Sequence, residues 1–145
     1  MKRFLFIVML ILSGSVVCSA KVDAEERLIA VVLANSQPRH LEIQSVFEQN
    51  SQEFCGSDCR IYVQTPNLDT MSLRNSVRKA VALGAELIIT YGSSATLAAK
   101  AEVPPVPVLF VDIYDPVKLG LVDADTGVGR NMTGVQGDAP VQALL

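Results

Sequence analysis

The sequence is poor in the side chains that build most metal and catalytic sites. It contains one histidine, His40, and three cysteines. Structural zinc sites usually take four Cys or His ligands, and in the α/β-hydrolase order of triad residues the histidine comes last. His40 lies early in the chain, directly after the first apolar segment. We therefore expect neither a metal site nor a hydrolase triad.

The sequence also lacks a run of basic residues. It carries 12 Lys and Arg against 15 Asp and Glu, which gives a formal net charge of −3. Nucleic acids and anionic membranes select basic patches on their partners. We therefore expect no nucleic acid and no anionic membrane surface as a partner.

No apolar run in the sequence is long enough to span a bilayer comfortably. The run from Phe4 to Leu12 follows Lys2 and Arg3, and the small residues Cys18-Ser19-Ala20 stand at the spacing of a cleavage site. This pattern is typical of a secretory signal peptide, and a retained membrane anchor is the alternative. We predict that residues 1–20 are a signal peptide and that residues 21–145 work in the periplasm or outside the cell.

Two cysteines remain after cleavage, Cys55 and Cys59. A pair this close in an exported chain predicts a small-loop disulfide. Metal binding is a weaker alternative because no second Cys or His cluster is present. A redox role would usually show a Cys-x-x-Cys arrangement at a helix start.

Apolar, strand-like segments alternate with helical ones along the mature chain. The predicted strands are Leu28–Ala34, Arg60–Gln64, Glu86–Thr90 and Val106–Ile113, and the predicted helices run from Arg39 to about Gln52, from Asp69 or Thr70 to Gly84, and from Ser93 to Ala101. This alternation predicts an α/β fold with a doubly wound parallel sheet. The sequence loses its periodicity after Asp115-Pro116, and residues 141–145 resemble the first turn of another helix, as if the chain were cut short.

Ligands of open parallel sheets bind beyond the carboxyl ends of the strands. The predicted strand ends here are polar, and none carries a basic residue. At the third end, Gly92 permits a tight turn, and Ser93 and Ser94 place hydroxyl and N–H groups at a helix start, which suits a carboxylate or another small anion. An ordinary serine N-cap is an equally good interpretation. Tyr91 and Tyr114 could line a ligand site or be ordinary strand-end aromatics.

Catalytic motifs are incomplete in this sequence. The segment Gly92–Thr96 faintly resembles a nucleophile elbow, but Thr96 replaces its final glycine. Gly127–Gly129 does not continue into a dinucleotide-binding fingerprint and does not follow a predicted strand. We therefore predict a protein that is not an enzyme and needs no cofactor.

Several segments carry a family resemblance in their order along the chain. They are Ala82–Thr90 (ALGAELIIT), Gly92–Ala95 (GSSA), Val106–Phe110 (VPVLF), Asp115–Val117 (DPV) with Gly120–Val122 (GLV), and Gly129–Val135 (GRNMTGV). Together they resemble the ABC-transporter substrate-binding proteins of the tryptophan/tyrosine-binding type. The similarity runs from about Arg27 to the last residue, and its final block is the most specific part.

This family has two α/β lobes of the type I periplasmic-binding kind, which close over a small ligand. The resemblance implies that residues 21–145 form the first lobe, with a crossing near Asp115 to Val135, and that the second lobe is missing. It also implies which side chains face the cleft, with the two serines meeting a ligand carboxylate: Ser36, Asn67, Ser93, Ser94 and Tyr114.

The resemblance predicts an extracytoplasmic solute-binding subunit of an ABC importer. Such a subunit delivers a small molecule, here an amino acid and by its nearby tyrosines an aromatic one, to a permease in the membrane. The alternative is the ligand-sensing domain of a signalling protein, which uses the same pair of lobes. A secreted enzyme is a third, weaker hypothesis.

Overall fold

The computed structural model describes residues 26–34, 37–127 and 129–137. The predicted signal peptide, Ser36 and the helix-like end at residues 141–145 lie outside these ranges. Within the described part of the chain, no helix is long and apolar enough to cross a membrane.

Strands and helices alternate as the sequence pattern predicts. In chain order the elements are β1 (Arg27–Leu33), α1 (Pro38–Cys55), β2 (Cys59–Gln64), α2 (Thr70–Ala82), β3 (Leu87–Tyr91), α3 (Ser93–Glu102), β4 (Val108–Ile113) and β5 (Met132–Gln136). A single 3-10 turn, Gly56–Asp58, joins α1 to β2. Across this turn Cys55 and Cys59 form a disulfide, with their Cα atoms 5.5 Å apart.

The strands form one parallel sheet in the order β2-β1-β3-β4-β5. The predicted α/β fold with a doubly wound parallel sheet is therefore confirmed. The chain moves outward from β1 in one direction to β2 and in the other to β3, so the strand order reverses beside β1. Polar loops at the carboxyl ends of strands around such a reversal are the usual place for a ligand.

Strand β5 was not predicted, and the expectation of irregular chain after Asp115 is wrong at this place. The segment has no apolar run and carries a glycine at its centre, Gly134. Gly134 pairs with Phe110 of β4, and a Cβ atom at position 134 would lie 2.0 Å from the Phe110 carbonyl oxygen. The side-chain amide of Asn131 donates hydrogen bonds of 2.8 Å and 3.2 Å to the backbone carbonyls of Pro104 and Val106. The block that carried the strongest resemblance is thus the block that attaches β5 to the sheet.

The sheet has two different faces. On one face, α2 and α3 pack over buried side chains that include Ile88 and Phe110. Arg74 and Arg78 of α2 form ion pairs with Glu102 of α3 on this side, and these pairs lower the pKa of Glu102, Arg78 contributing most. On the other face, α1 packs over a smaller cluster formed by Val31, Leu33, Ile89 and Tyr91.

Candidate functional site

The start of α3 lies at the carboxyl end of β3, in the middle of the sheet. Gly92 is the N-cap residue, with φ 81° and ψ 161°, and it has no side chain with which to cap the helix. Ser93 and Ser94 form its first turn and are exposed. The serine N-cap interpretation therefore does not hold, because neither serine occupies the cap position. Among the residues that the structure describes, no side-chain cap bond is made at this helix start.

Hydrogen bonds fix this turn from several sides. The N–H of Gly92 donates to the carbonyl of Val111 at 3.1 Å, and the N–H of Ala34 donates to the carbonyl of Tyr91 at 3.2 Å. The buried hydroxyl of Thr96 donates to the carbonyl of Gly92 at 2.9 Å and lies 2.9 Å from the hydroxyl of Thr90. Thr96, which stands where a nucleophile elbow has its last glycine, therefore holds this turn in place through its hydroxyl.

A histidine packs against the same turn. A Cβ atom built on Gly92 would lie 3.1 Å from Cε1 of His40. The imidazole of His40 is buried, and its ring centroid lies 6.0 Å from that of Tyr91. Both the positive φ and the closeness of His40 therefore favour glycine at position 92.

Beside this turn lies a cluster of Arg39, His40 and Asp112, which was not predicted from the sequence. Nε2 of His40 lies 3.0 Å from Oδ2 of Asp112, and the guanidinium of Arg39 lies 3.1 Å from Oδ1 of the same carboxylate. Asp112 adopts φ 61° at an irregularity of β4. A Cβ atom at Gly137 would lie 2.1 Å from Oδ1 of Asp112. The strand ends are thus not free of basic groups, because the first turn of α1 brings Arg39 to the end of β4.

The two tyrosines of the strand ends differ in their placement. Tyr91 is 1% exposed and packs in the core under α1, so its ring is a core side chain and does not line an open ligand site. Burial, and secondarily the charge of Glu48, raise the pKa of Tyr91 to about 12. Tyr114 follows β4 and is 46% exposed, so its ring is available at the sheet edge.

Asn67 is exposed in the loop between β2 and α2. Helix α2, which follows, is capped by Asp69, whose carboxylate accepts a 2.8 Å hydrogen bond from the N–H of Ser72. Hydrogen bonds from the side chain of Ser72, and secondarily from its backbone N–H, lower the pKa of Asp69. The structure therefore places four of the predicted residues in exposed positions beyond the ends of β2, β3 and β4, namely Asn67, Ser93, Ser94 and Tyr114, and Ser36 lies outside the described ranges.

The groups exposed at this edge can donate hydrogen bonds to a small ligand. Across residues 26–34, 37–127 and 129–137, no group of three or more His, Cys, Asp or Glu side chains could hold a metal ion. Backbone N–H groups at a helix start attract an anion through hydrogen bonds and through the helix dipole. The fixed turn at Gly92 presents such groups beside exposed hydroxyls.

No protein-family model matches the chain, and no curated protein sequence matches it. Solved structures do resemble it. The ligand-free, open structure of a substrate-binding protein with adhesive properties from Clostridium difficile aligns with a TM-score of 0.71 and 20% identity over 80% of this chain. The structure of an ABC domain in complex with L-Trp from Streptococcus pneumonia aligns with a TM-score of 0.69 and 22% identity over 81%. A conserved domain protein from Vibrio cholerae gives 0.70 and 18% over 82%.

These similarities establish the fold. The chain spans only 40–41% of the length of each of these three proteins. One of the three is described as a substrate-binding protein and another holds an amino acid, so ligand binding is the activity found on this fold among them.

Proposed function

We propose that this chain is one lobe of an extracytoplasmic solute-binding protein that holds a small carboxylate-bearing ligand, such as an aromatic amino acid, between two lobes. The ligand carboxylate binds at the first turn of α3, where it accepts hydrogen bonds from the backbone and hydroxyl groups of Ser93 and Ser94. Asn67 and Tyr114 contact the ligand from the neighbouring strand ends, and Ser36 belongs to the same edge.

The observation that carries this proposal is the uncapped start of α3. Gly92 opens the helix without a side-chain cap, and the carbonyl of Gly92 is held by the buried hydroxyl of Thr96. The donor groups are therefore already in place before a ligand arrives, which reduces the entropy cost of binding. Two exposed serines follow at once, and an external anion is the acceptor that such a turn lacks.

The inference of a second lobe rests on the greater length of the similar structures. More than half of each similar structure has no counterpart in this chain. A ligand on the open edge of one lobe is half exposed, and a second lobe that closes over it supplies the remaining contacts. Closure of two lobes around a ligand is a signal that a membrane partner can recognise. We infer that this partner is the permease of an ABC importer.

A thermal-shift screen of the full-length gene product tests this function. The probes are the L-amino acids, beginning with L-tryptophan, each beside its carboxamide. A ligand at a hundredfold excess over its dissociation constant stabilises its binder by roughly 2.7 kcal/mol, so we expect a clear rise in Tm with one or a few amino acids.

The carboxamides serve as matched controls in this screen. They keep the side chain and the amino group of the ligand but replace the carboxylate by a neutral amide, which has one acceptor oxygen fewer, so we expect little or no shift with them. If no amino acid raises the Tm, the proposed ligand class is wrong. If the carboxamides stabilise the protein equally, the ligand does not bind through a carboxylate.

A further inference from the structure

Asp112 is an extra residue near the end of strand β4. Val111 pairs with Val135 and Ile113 pairs with Gln136, so β4 has one residue more than β5 between these two pairs. Asp112 has φ 61°, in the left-handed region. Strain of this kind persists only where the surrounding structure holds it, and it is concentrated at functional sites. A bulge is a device that redirects the side chains that follow it.

The bulge decides which face of the sheet the end of β4 presents. Phe110 and Ile113 are three positions apart, yet both belong to the core under α2 and α3. In a regular strand, side chains three positions apart point to opposite faces. The extra residue therefore brings Ile113 back to this core, and it sets the direction of the next residue, Tyr114, which is 46% exposed.

Two side chains of α1 hold the bulge through the carboxylate of Asp112. Nε2 of His40 lies 3.0 Å from Oδ2, and the guanidinium of Arg39 lies 3.1 Å from Oδ1. The side chain of Asp112 is 16% exposed and that of His40 is 4% exposed, so solvent can replace these contacts only in part. Loss of the charge of Asp112 would leave Arg39 without its carboxylate partner in this cluster.

The same contacts reach the start of α3. His40 lies between Asp112 and Gly92, because its Cε1 is only 3.1 Å from the place of a Cβ atom on Gly92. Val111, the residue before the bulge, accepts the N–H of Gly92 at 3.1 Å. The Gly92 turn therefore contacts the bulge twice, through the backbone of β4 and through the imidazole of His40.

We propose that Asp112 is a positioning residue of the ligand site, which acts without touching the ligand. Its carboxylate holds the start of α3 and the side chain of Tyr114 in one relative position. This inference rests on the proposed function, in which Ser93 and Ser94 bind the ligand carboxylate and Tyr114 contacts the rest of the ligand. Binding groups keep their geometry only when a supporting layer of contacts fixes them, and Asp112 supplies that layer for both groups.

Asp112→Asn in the full-length gene product tests this inference. Asparagine tolerates a positive φ as aspartate does, so the variant removes the charge and keeps the backbone conformation. Glu102→Gln is the matched control, since Glu102 has a side chain that is 12% exposed and also forms ion pairs with two basic side chains, Arg74 and Arg78. It lies at the opposite end of α3 from the proposed site.

Isothermal titration with the amino acid that gives the largest thermal shift measures the effect on binding. We expect Asp112→Asn to raise the dissociation constant by about tenfold, the effect of one hydrogen bond to a charged group. We expect Glu102→Gln to leave it unchanged. If Asp112→Asn binds the amino acid as tightly as the unaltered protein, the inference is wrong while the proposed function stands.

Amide hydrogen exchange, measured by NMR without ligand, gives a second readout. The N–H of Gly92 should exchange about tenfold faster in Asp112→Asn relative to the N–H of Val31, which lies in the core, because the turn opens locally. Glu102→Gln should not change this ratio. A purely structural role of Asp112 would accelerate both amides together, and that result would overturn the inference.

The two readouts separate this inference from the proposed function. If the unaltered protein binds no amino acid, the proposed function fails, and the exchange ratio alone decides whether Asp112 positions the Gly92 turn. If Asp112→Asn does not fold, Arg39→Gln takes its place, since the side chain of Arg39 is half-exposed and contributes one of the two contacts to the carboxylate. Smaller changes in the same direction are then expected, and an unchanged exchange ratio would contradict the inference.

Discussion

The starts of α2 and α3 lie at the same edge of the sheet and are built in opposite ways. Helix α2 begins with Asp69, whose own carboxylate accepts the N–H of Ser72 at 2.8 Å. Helix α3 has Gly92 at its N-cap, which has no side chain, and within the described ranges no side-chain cap bond is found there. The chain itself supplies the anion at the start of α2, and in the proposed function an external anion takes that place at the start of α3.

In the proposed function, this difference separates a structural helix start from a ligand-binding one. Both helices have an exposed first turn and the same dipole, so exposure and dipole alone do not distinguish them. The distinction lies in the cap and in what holds the turn. At Gly92 the turn is fixed by its neighbours Val111, Thr96 and His40 and not by a cap. Hydrogen bonds to the N–H and the carbonyl of Gly92 therefore hold the α3 turn, and no side-chain cap is seen among the described residues.

The largest effect is expected from Gly92→Ala. A residue with a Cβ atom at φ 81° and ψ 161° is strained by roughly 1–3 kcal/mol, and the new atom would also lie 3.1 Å from Cε1 of His40. We expect a lower free energy of unfolding in urea and weaker ligand binding, because the donors of α3 are displaced.

Gly84→Ala is the matched control for this substitution. Gly84 follows α2 with φ 80°, and a Cβ atom there meets no atom within 4 Å. It carries the backbone strain without a new contact, so we expect a smaller loss of stability and unchanged ligand binding. Equal losses for both variants would mean that His40 does not hold the turn.

A smaller effect is expected from Asp69→Ala, which removes the internal anion of α2. Loss of an N-cap of this type should lower Tm by roughly 2–5 °C near neutral pH. Hydrogen bonds from Ser72 lower the pKa of Asp69 in the folded state, so its contribution is present above the unfolded pKa and is lost as pH falls through the folded value. Thermal melts between about pH 2 and 7 bracket the ordinary carboxyl pKa. Over this range, the difference in stability between the unaltered protein and Asp69→Ala should shrink at the acidic end. A difference that does not change with pH would contradict the capping role of the carboxylate.

Much of this fold follows from the sequence. The strands β1 to β4 and all three helices were predicted with boundaries that differ by at most a few residues, because apolar runs and cap residues are local signals. Strand β5 was missed because Met132–Gln136 is mostly exposed and centred on Gly134, so that pairing with β4 and not its own composition makes it a strand.

The candidate site was predictable only in part. The Gly92-Ser93-Ser94 turn has a local signature, and the order of the strands places it at the carboxyl edge. The contact between His40 and Asp112 joins residues 72 positions apart, so it depends on α1 and β4 meeting across the sheet. Tyr91 was open to two interpretations because its sequence position at a strand end does not say which face it occupies, and the structure places it in the core.

The most direct test of the account is isothermal titration of the full-length gene product and two variants at Ser93, with the amino acid that gives the largest thermal shift. Ser93 is the first helical residue of α3, where proline is tolerated, so Ser93→Pro removes one backbone N–H with little change in stability. Ser93→Ala keeps that N–H and removes only the hydroxyl. If the helix start binds the carboxylate, Ser93→Pro should weaken binding by about tenfold or more, since a hydrogen bond to a charged group contributes roughly 1.5–3 kcal/mol, and Ser93→Ala should weaken it less. If Ser93→Pro binds the amino acid as tightly as the unaltered protein, the start of α3 is not the carboxylate site.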